Sequence, residues 1–278
     1  MNLLKKSIPF FLLFCLSSFQ SFTQHNILLS LTDTKSKALA QILSCNSNPL
    51  NGIVNPVQLG GIEKNSVNAH VINYFSIPGL YGSTVDFSTK LNSKSGLGIF
   101  WATDGSKELK ENLFSAQWAF NLNSKSSLGI QTAYLLKTLP ETKNQNGVLF
   151  TVSALHKFSS VFTVGFITKN PLPIQSKQLI SVGSLFAVGV NYRALKQCYI
   201  LLEIQKQSSI PMSYHVAMEY SPIPILDTRI GFQTRTNSFS FGLAYLVKHK
   251  LKLEAFGAYQ FQLGFTSGAG VTYLWDRK

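Results

Sequence analysis

From residue 65 to the C-terminus the apolar side chains recur at every second position, a period that puts them on one face only if the chain is extended. In Glu111 to Leu122, Phe114, Ala116, Trp118, Phe120 and Leu122 alternate with Ser115, Gln117, Ala119 and Asn121. Ser238 to Val247 does the same, with Phe239, Phe241, Leu243, Tyr245 and Val247 set against Ser238, Ser240, Gly242 and Ala244. So does Ser213 to Tyr220, where Tyr214, Val216, Met218 and Tyr220 oppose Ser213, His215, Ala217 and Glu219. No helical period of comparable strength follows residue 65. About fourteen such runs occur, near 65–75, 80–91, 94–103, 111–122, 126–138, 147–158, 160–168, 182–193, 197–206, 212–221, 226–235, 238–247, 250–261 and 264–275.

The second face of these runs decides what the strands build. A soluble sandwich buries one face of each sheet and sets charges on the other. Here the second face holds mainly Gly, Ala, Ser, Thr, Asn and Gln, and only 13% of the 278 residues are charged, about half the ~25% of a soluble domain. The 21 Phe, 10 Tyr and 3 Trp exclude a disordered chain. Beyond the first two dozen residues no stretch approaches the ~18 apolar residues of a membrane-spanning helix. In lipid every backbone N–H and C=O must be paired within the protein, and closing the sheet is the way to remove its edges. The expected fold is all-β: a fourteen-stranded antiparallel transmembrane β-barrel over residues 65–278, preceded by an N-terminal helical and hatch segment.

The connections point to an orientation. Those after even-numbered runs are tight, such as Asn92-Ser93-Lys94, Asn123-Ser124-Lys125 and Ala194-Leu195-Lys196, whereas Asp104 to Lys110, Pro140 to Asn146 and Lys169 to Gln178 are longer and polar. Outer-membrane barrels keep short turns on the periplasmic side, so both termini are expected there. The octamers LNSKSGLG (Leu91 to Gly98) and LNSKSSLG (Leu122 to Gly129) repeat one hairpin turn 31 residues apart.

Residues 1–24 read as a secretory signal peptide, with Lys5 and Lys6 before an apolar run from Ile8 to Leu16 and a polar Ser17 to Gln24. Cys45 and Cys198 are the cysteines that remain, too few for a disulfide framework. In residues 25–64, Thr34 to Ser44 has the pattern of a short helix with Ala38, Ile42 and Leu43 on its apolar side. Two Asn-Pro steps follow, Asn48-Pro49 and Asn55-Pro56, then Gly60-Gly61, all turn chemistry. This segment reads either as a hatch folded into the lumen or as a flexible periplasmic leader, and Ile53, Val54, Val57 and Leu59 favour the hatch.

The order of a small-residue helix, then VNP..LGG, then a meander with GVNYRA, LLEIQKQ, HVAMEYSP, TRIGFQTR and FSFGLAY resembles the PorV/PorQ-like outer-membrane barrels of the Bacteroidota, relatives of the FadL transporters. The resemblance covers roughly residues 35 to 275. It implies a fourteen-stranded barrel, a hatch, and a role either in type IX protein secretion or in moving hydrophobic small molecules. Matched residue by residue, it singles out Glu203, Glu219 with Tyr220, and Arg229 with Gly231. By alternation Glu203, Glu219 and Arg229 point into the lumen on the ninth, tenth and eleventh runs, an acid-acid-base cluster. Such a cluster is either an ion-pair lattice stiffening the wall or a polar constriction that takes a ligand headgroup. A conduit requires an apolar pocket beside the hatch and a gap in the wall, while a secretion component is compatible with a plugged, polar lumen.

No enzymatic activity, metal or cofactor is expected. His25, His70, His156, His215 and His249 are dispersed, and none stands with Cys or carboxylates at ligand spacing. His215 shares a face with Ser213 and Glu219, but neighbours two apart on a strand lie roughly 7 Å apart, too far for a nucleophile and its base. The formal charge of +13 has its lysines in turns and not in an aromatic groove, which argues against nucleic acid. The expected partners are outer-membrane lipid and lipopolysaccharide, with secretion-system proteins or a hydrophobic ligand according to function.

Overall fold

The computed structural model describes residues 33–46, 54–139, 144–172, 182–208 and 210–276. The signal peptide at 1–24, the Asn48-Pro49 step, Ile53 and parts of the connections at 140–146 and 169–178 lie outside the described residues.

Fourteen strands form one closed antiparallel barrel in sequence order. They are β1 (Asn65–Asn73), β2 (Tyr81–Lys90), β3 (Ser95–Gly105), β4 (Lys110–Asn121), β5 (Ser126–Thr138), β6 (Gln145–Lys157), β7 (Phe162–Lys169), β8 (Leu185–Leu195), β9 (Cys198–Gln207), β10 (Ser213–Ile223), β11 (Leu226–Gln233), β12 (Ser238–Val247), β13 (Leu251–Gln260) and β14 (Gly264–Trp275). The barrel is sealed by β1 pairing with β14, from Asn65↔Trp275 to Asn73↔Ser267. Closure leaves no edge, and an unpaired backbone group in lipid costs several kcal/mol. No strand end departs by more than three residues from the alternating runs. The ladders slip only at Arg193/Leu195 and Tyr220/Ile223, both at the short-turn end.

The alternation becomes two surfaces. Outward, Val85, Ile99, Ile130, Val188, Leu202 and Ile230 form an exposed aliphatic band. Trp101, Tyr134, Tyr214 and Tyr259 flank it on the side of the longer connections, and Trp118, Tyr192, Tyr245 and Tyr273 on the side of the short turns. Aromatic rims around an aliphatic belt match a bilayer, with polar-apolar side chains placed at headgroup depth. The two octamers build one turn twice. Leu91 and Leu122 each donate a backbone N–H at 2.9 Å to Ser95 and Ser126, and Asn92 and Asn123 each accept at 2.8 Å from the lysine two residues on.

Inward, the lumen is occupied by the N-terminal segment. Asp33 caps α1 (Thr34–Ala38), accepting from the Ser36 N–H at 2.7 Å. The expected helix to Ser44 is cut to five residues because Ala40 and Gln41 turn into the left-handed region, with φ of 54° and 61°. The wall then takes the backbone groups that a longer helix would have used. His215 Nδ1 meets the Ala40 carbonyl at 2.6 Å, and Gln205 donates to the Gln41 carbonyl at 2.8 Å. Further on, Asn55 caps a 3₁₀ turn (Pro56–Gly61) and donates its amide at 3.1 Å to the carbonyls of Leu43 and Ser44, tying the two halves of the segment together. Pro56 fits the first helical position, where no N–H is needed. The segment thus runs around the wall, α1 against β11–β14 and β1, and the 3₁₀ turn against β2–β6. Cys45 is buried in it, and Cys198 stands unpaired on β9.

Inward glycines make the track it follows. Gly242 faces Ala38, Gly231 faces Ala40, Gly165 and Gly189 face Ser44 and Cys45, and Gly129 faces Pro56 and Val57. At Gly129 an added methyl would meet hatch backbone, which cannot rotate away. Gly129→Ala is therefore expected to destabilise by about 1–3 kcal/mol as an overpacked site. Gly98→Ala, whose neighbours are the flexible ends of Leu59 and Gln117, should cost less. Denaturation of the two variants in lipid vesicles checks the order; equal midpoints would dismiss the close approach as a constraint.

Candidate functional site

The lumen divides into two sectors. On the side of β3 to β8, Phe100, Leu113, Leu135, Leu149, Ile167 and Leu185 pack against Leu43 and Val54 of the hatch segment. On the side of β10 to β13 an ion-pair network gathers. Glu219 and Arg229 are direct cross-strand partners, with Arg229 Nε 3.7 Å from the Glu219 carboxylate. Arg229 also reaches Glu254 at 2.8 Å and Asp227 at 3.4 Å, and its side chain is fully buried. Lys252 bridges Asp227 at 3.1 Å and Glu254 at 3.6 Å. Lys35 of α1 completes the network at 3.1 Å from Glu219. Three carboxylates and three cations balance, as burial requires.

Two of the three sequence-derived cluster residues are thus brought together and the third is not. Glu203 faces the lumen but serves the hatch. Its carboxylate accepts from the Leu43 N–H at 2.9 Å, the Ser44 N–H at 2.6 Å and the Ser44 hydroxyl, with the Gln205 amide at 2.7 Å. Asp227, Lys252 and Glu254 were missed by sequence reasoning. Their signal was present: charges inside strands, on the same lumenal parity as Glu219 and Arg229. Of the turn residues, Asn55 caps, Pro56 opens the 3₁₀ turn, and Gly60 accepts at 2.7 Å from the Asn121 amide. Gly61 closes that turn. His215 holds hatch backbone, which accounts for it without catalysis.

Hollows lie above and below this packed middle. At the mouth ringed by the longer connections a cavity of about 600 Å³ rests on α1. Phe75, Leu80, Ile210, Pro211 and Leu263 supply the greater, apolar part of its wall, Arg235, Asp104, Gln233 and Gln260 a polar part, and Lys37 and Ala40 its floor. Lys37 Nζ stands 5.6 Å above the Tyr74 ring, whose hydroxyl donates to Asp104 at 3.1 Å. Burial brings the Lys37 ammonium down to about 8, with Asp104 opposing the shift. The wall loop is held in a demanding conformation, Phe75 and Ser76 both having positive φ, and it is pinned by the Phe75 N–H to Thr266 and the Ser76 hydroxyl to the Phe265 carbonyl, each at 3.1 Å. At the short-turn mouth a smaller hollow of about 400 Å³ is polar, with Asn46, Gln58, Lys157 and Arg193 on its lining.

The outer wall carries a third hollow. A groove of about 850 Å³ crosses the lipid-facing side of β1 to β6 between Val67, Ile99, Trp101, Phe114 and Tyr134, with Ala116 and Thr132 among its small residues. It does not break the sheet, since the β2–β3, β3–β4 and β4–β5 ladders run unbroken behind it. Of the two features required of a conduit, the apolar pocket beside the hatch is present, and no gap opens in these ladders.

No protein-family model and no curated protein matches the sequence. The fold is similar to solved barrels. A structure described as the CymD monoaromatic hydrocarbon channel superposes with a TM-score of 0.70 at 10% identity, over 90% of this chain and 99% of that one. The toluene transporter TbuX of Ralstonia pickettii gives 0.67 at 10% identity, over 91% and 100%. A FadL homologue of Pseudomonas aeruginosa gives 0.65 at 11% identity, over 87% and 98%. At such identities the likeness establishes a shared barrel architecture.

Proposed function

We propose that this chain is an outer-membrane channel for hydrophobic small molecules, with its short turns and both chain termini on the periplasmic side. The observation that carries the reading is the apolar vestibule seated on α1. A hydrophobic solute entering it leaves water on contact with Phe75, Leu80, Ile210 and Leu263, at roughly 25 cal/mol per Å² of apolar surface covered. The hatch below it blocks free passage of ions while the solute is held. The architecture shared with hydrocarbon channels supports the same reading.

The expected result is that proteoliposomes containing the chain take up a labelled monoaromatic hydrocarbon faster than protein-free vesicles. Leu80→Asp together with Leu263→Asp, which puts charge on the vestibule wall, should slow that uptake about tenfold or more. Uptake no faster than in empty vesicles would reject the channel.

A component of type IX secretion is the second reading, and the observation in its favour is the plugged, ion-paired half of the lumen. Protein export left intact in a strain lacking the gene would reject it.

A further inference from the structure

The barrel gathers its basic side chains at one rim. Of the six short connections, five carry or adjoin an exposed lysine: Lys94 after β2, Lys125 after β4, Lys157 at the end of β6, Lys196 after β8, and Lys248 with Lys250 after β12. The six connections themselves contain no Asp or Glu, and the exposed acids at this rim are confined to the β1–β14 seam, where Glu63 stands and Asp276 is paired with Lys64 at 3.6 Å. The opposite rim is mixed among the described residues. Lys107 stands beside Glu108, and Lys137 is paired to Glu111 at 3.1 Å. Sequence order spreads these lysines over 157 positions from Lys94 to Lys250, and only closure of the barrel sets them in a ring.

The depth of the ring identifies its partner. Its lysines stand just beyond the lower aromatic rim: Lys94 and Lys125 flank the β3–β4–β5 sheet whose outer face ends in Trp118 and Phe120, and Lys248 follows Tyr245 by three residues. Trp275 stacks on Phe87 at 6.1 Å beside the same ends. Tryptophan and tyrosine settle among lipid headgroups, so cations one to three residues farther out meet the phosphates. A docking protein of acidic surface would need cations raised above the bilayer, and these turns are two to four residues long.

We propose that the short-turn rim is a binding surface for anionic phospholipid headgroups of the leaflet it contacts. The assignment to the periplasmic leaflet rests on the orientation proposed above. This differs from the sequence-level expectation of lipopolysaccharide contact, because in that orientation lipopolysaccharide faces the mixed rim. Each lysine near an anionic surface strengthens attachment about fivefold.

The test is native mass spectrometry of the detergent-purified protein with added phosphatidylglycerol or phosphatidylcholine of identical chains, and in a parallel series with lipid A. Wild type should retain phosphatidylglycerol preferentially. Joint Lys→Gln replacement at 94, 125, 196, 248 and 250 should cut that preference about tenfold or more, while Lys107→Gln with Lys110→Gln leaves it unchanged. Heat-modifiable gel mobility verifies that each variant is folded. Equal retention of the two lipids by wild type, a preference for lipid A over phosphatidylglycerol, or a five-lysine variant that binds as wild type does would each overturn the proposal. The measurement requires neither transport nor a known orientation, so a failed uptake experiment leaves it standing. Orientation is read separately by Lys125→Cys and an impermeant maleimide on intact cells, where labelling would overturn the leaflet assignment.

Discussion

Arg229→Met is expected to lower the stability of the barrel by about 3–5 kcal/mol, the size of effect seen when one partner of a buried ion pair is removed. The guanidinium touches Glu219, Asp227 and Glu254 at once and has no exposed side-chain surface. Without it, three carboxylates share two lysines, Lys35 and Lys252, and one negative charge is left uncompensated within the largely buried cluster. Adding Glu254→Gln to Arg229→Met restores neutrality and should recover most of the loss, because the penalty belongs to the unpaired charge more than to the absent contacts. Urea unfolding in lipid vesicles, followed by tryptophan fluorescence, measures both variants. A loss below 1 kcal/mol for the single change, or no recovery in the double, would rule out the network as a stabilising unit.

Glu203→Ala acts on the hatch and spares the wall. It strips the acceptors from two backbone N–H groups and a hydroxyl at Leu43 and Ser44, where the chain passes between α1 and the 3₁₀ turn. An unsatisfied buried donor costs about 1–3 kcal/mol. A loss of about 3 kcal/mol confined to the hatch multiplies its displaced population roughly a hundredfold. The expected result is a comparable rise in the frequency of ion-conducting openings in planar bilayers, with faster amide exchange at Leu43 and Ser44. Exchange in β9 and its neighbours should change little, since Glu203 makes no ladder bond with its side chain. Glu203→Gln keeps one acceptor oxygen and should fall between the two. Unchanged conductance and unchanged exchange would sink the view that Glu203 latches the hatch.

The two residues were read from the sequence as one cluster with Glu219, and the reason they part is geometric. Parity along a strand says that a side chain enters the lumen; it says nothing of which side chain it meets there. Glu219 and Arg229 lie opposite each other on adjacent strands, so register alone joins them. Glu203 pairs across its own ladders with His215 and Gly189, neither of them a lysine or arginine, and finds its donors on a segment some 160 positions earlier in the chain. Asp227 and Lys252, by contrast, are separated by β12 and still meet, because the residue of β12 opposite Asp227 is the small inward Ala244. The short helix makes the same point. Thr34 to Ser44 carries a helical pattern, but its last turn and a half is spent on bonds to His215, Gln205 and Glu203.

What the sequence determined by itself was the wall: fourteen strands, their ends to within three residues, and which face of each is turned outward. That much is local, since period two and turn chemistry are written within about ten residues, and a solvent that will not bond to backbone forces closure. The contents of the lumen were decided only by the tertiary structure. The path of the hatch along its glycine track, the destination of Glu203 and the gathering of scattered lysines at one rim all depend on distances across a closed barrel. No window of sequence contains those distances.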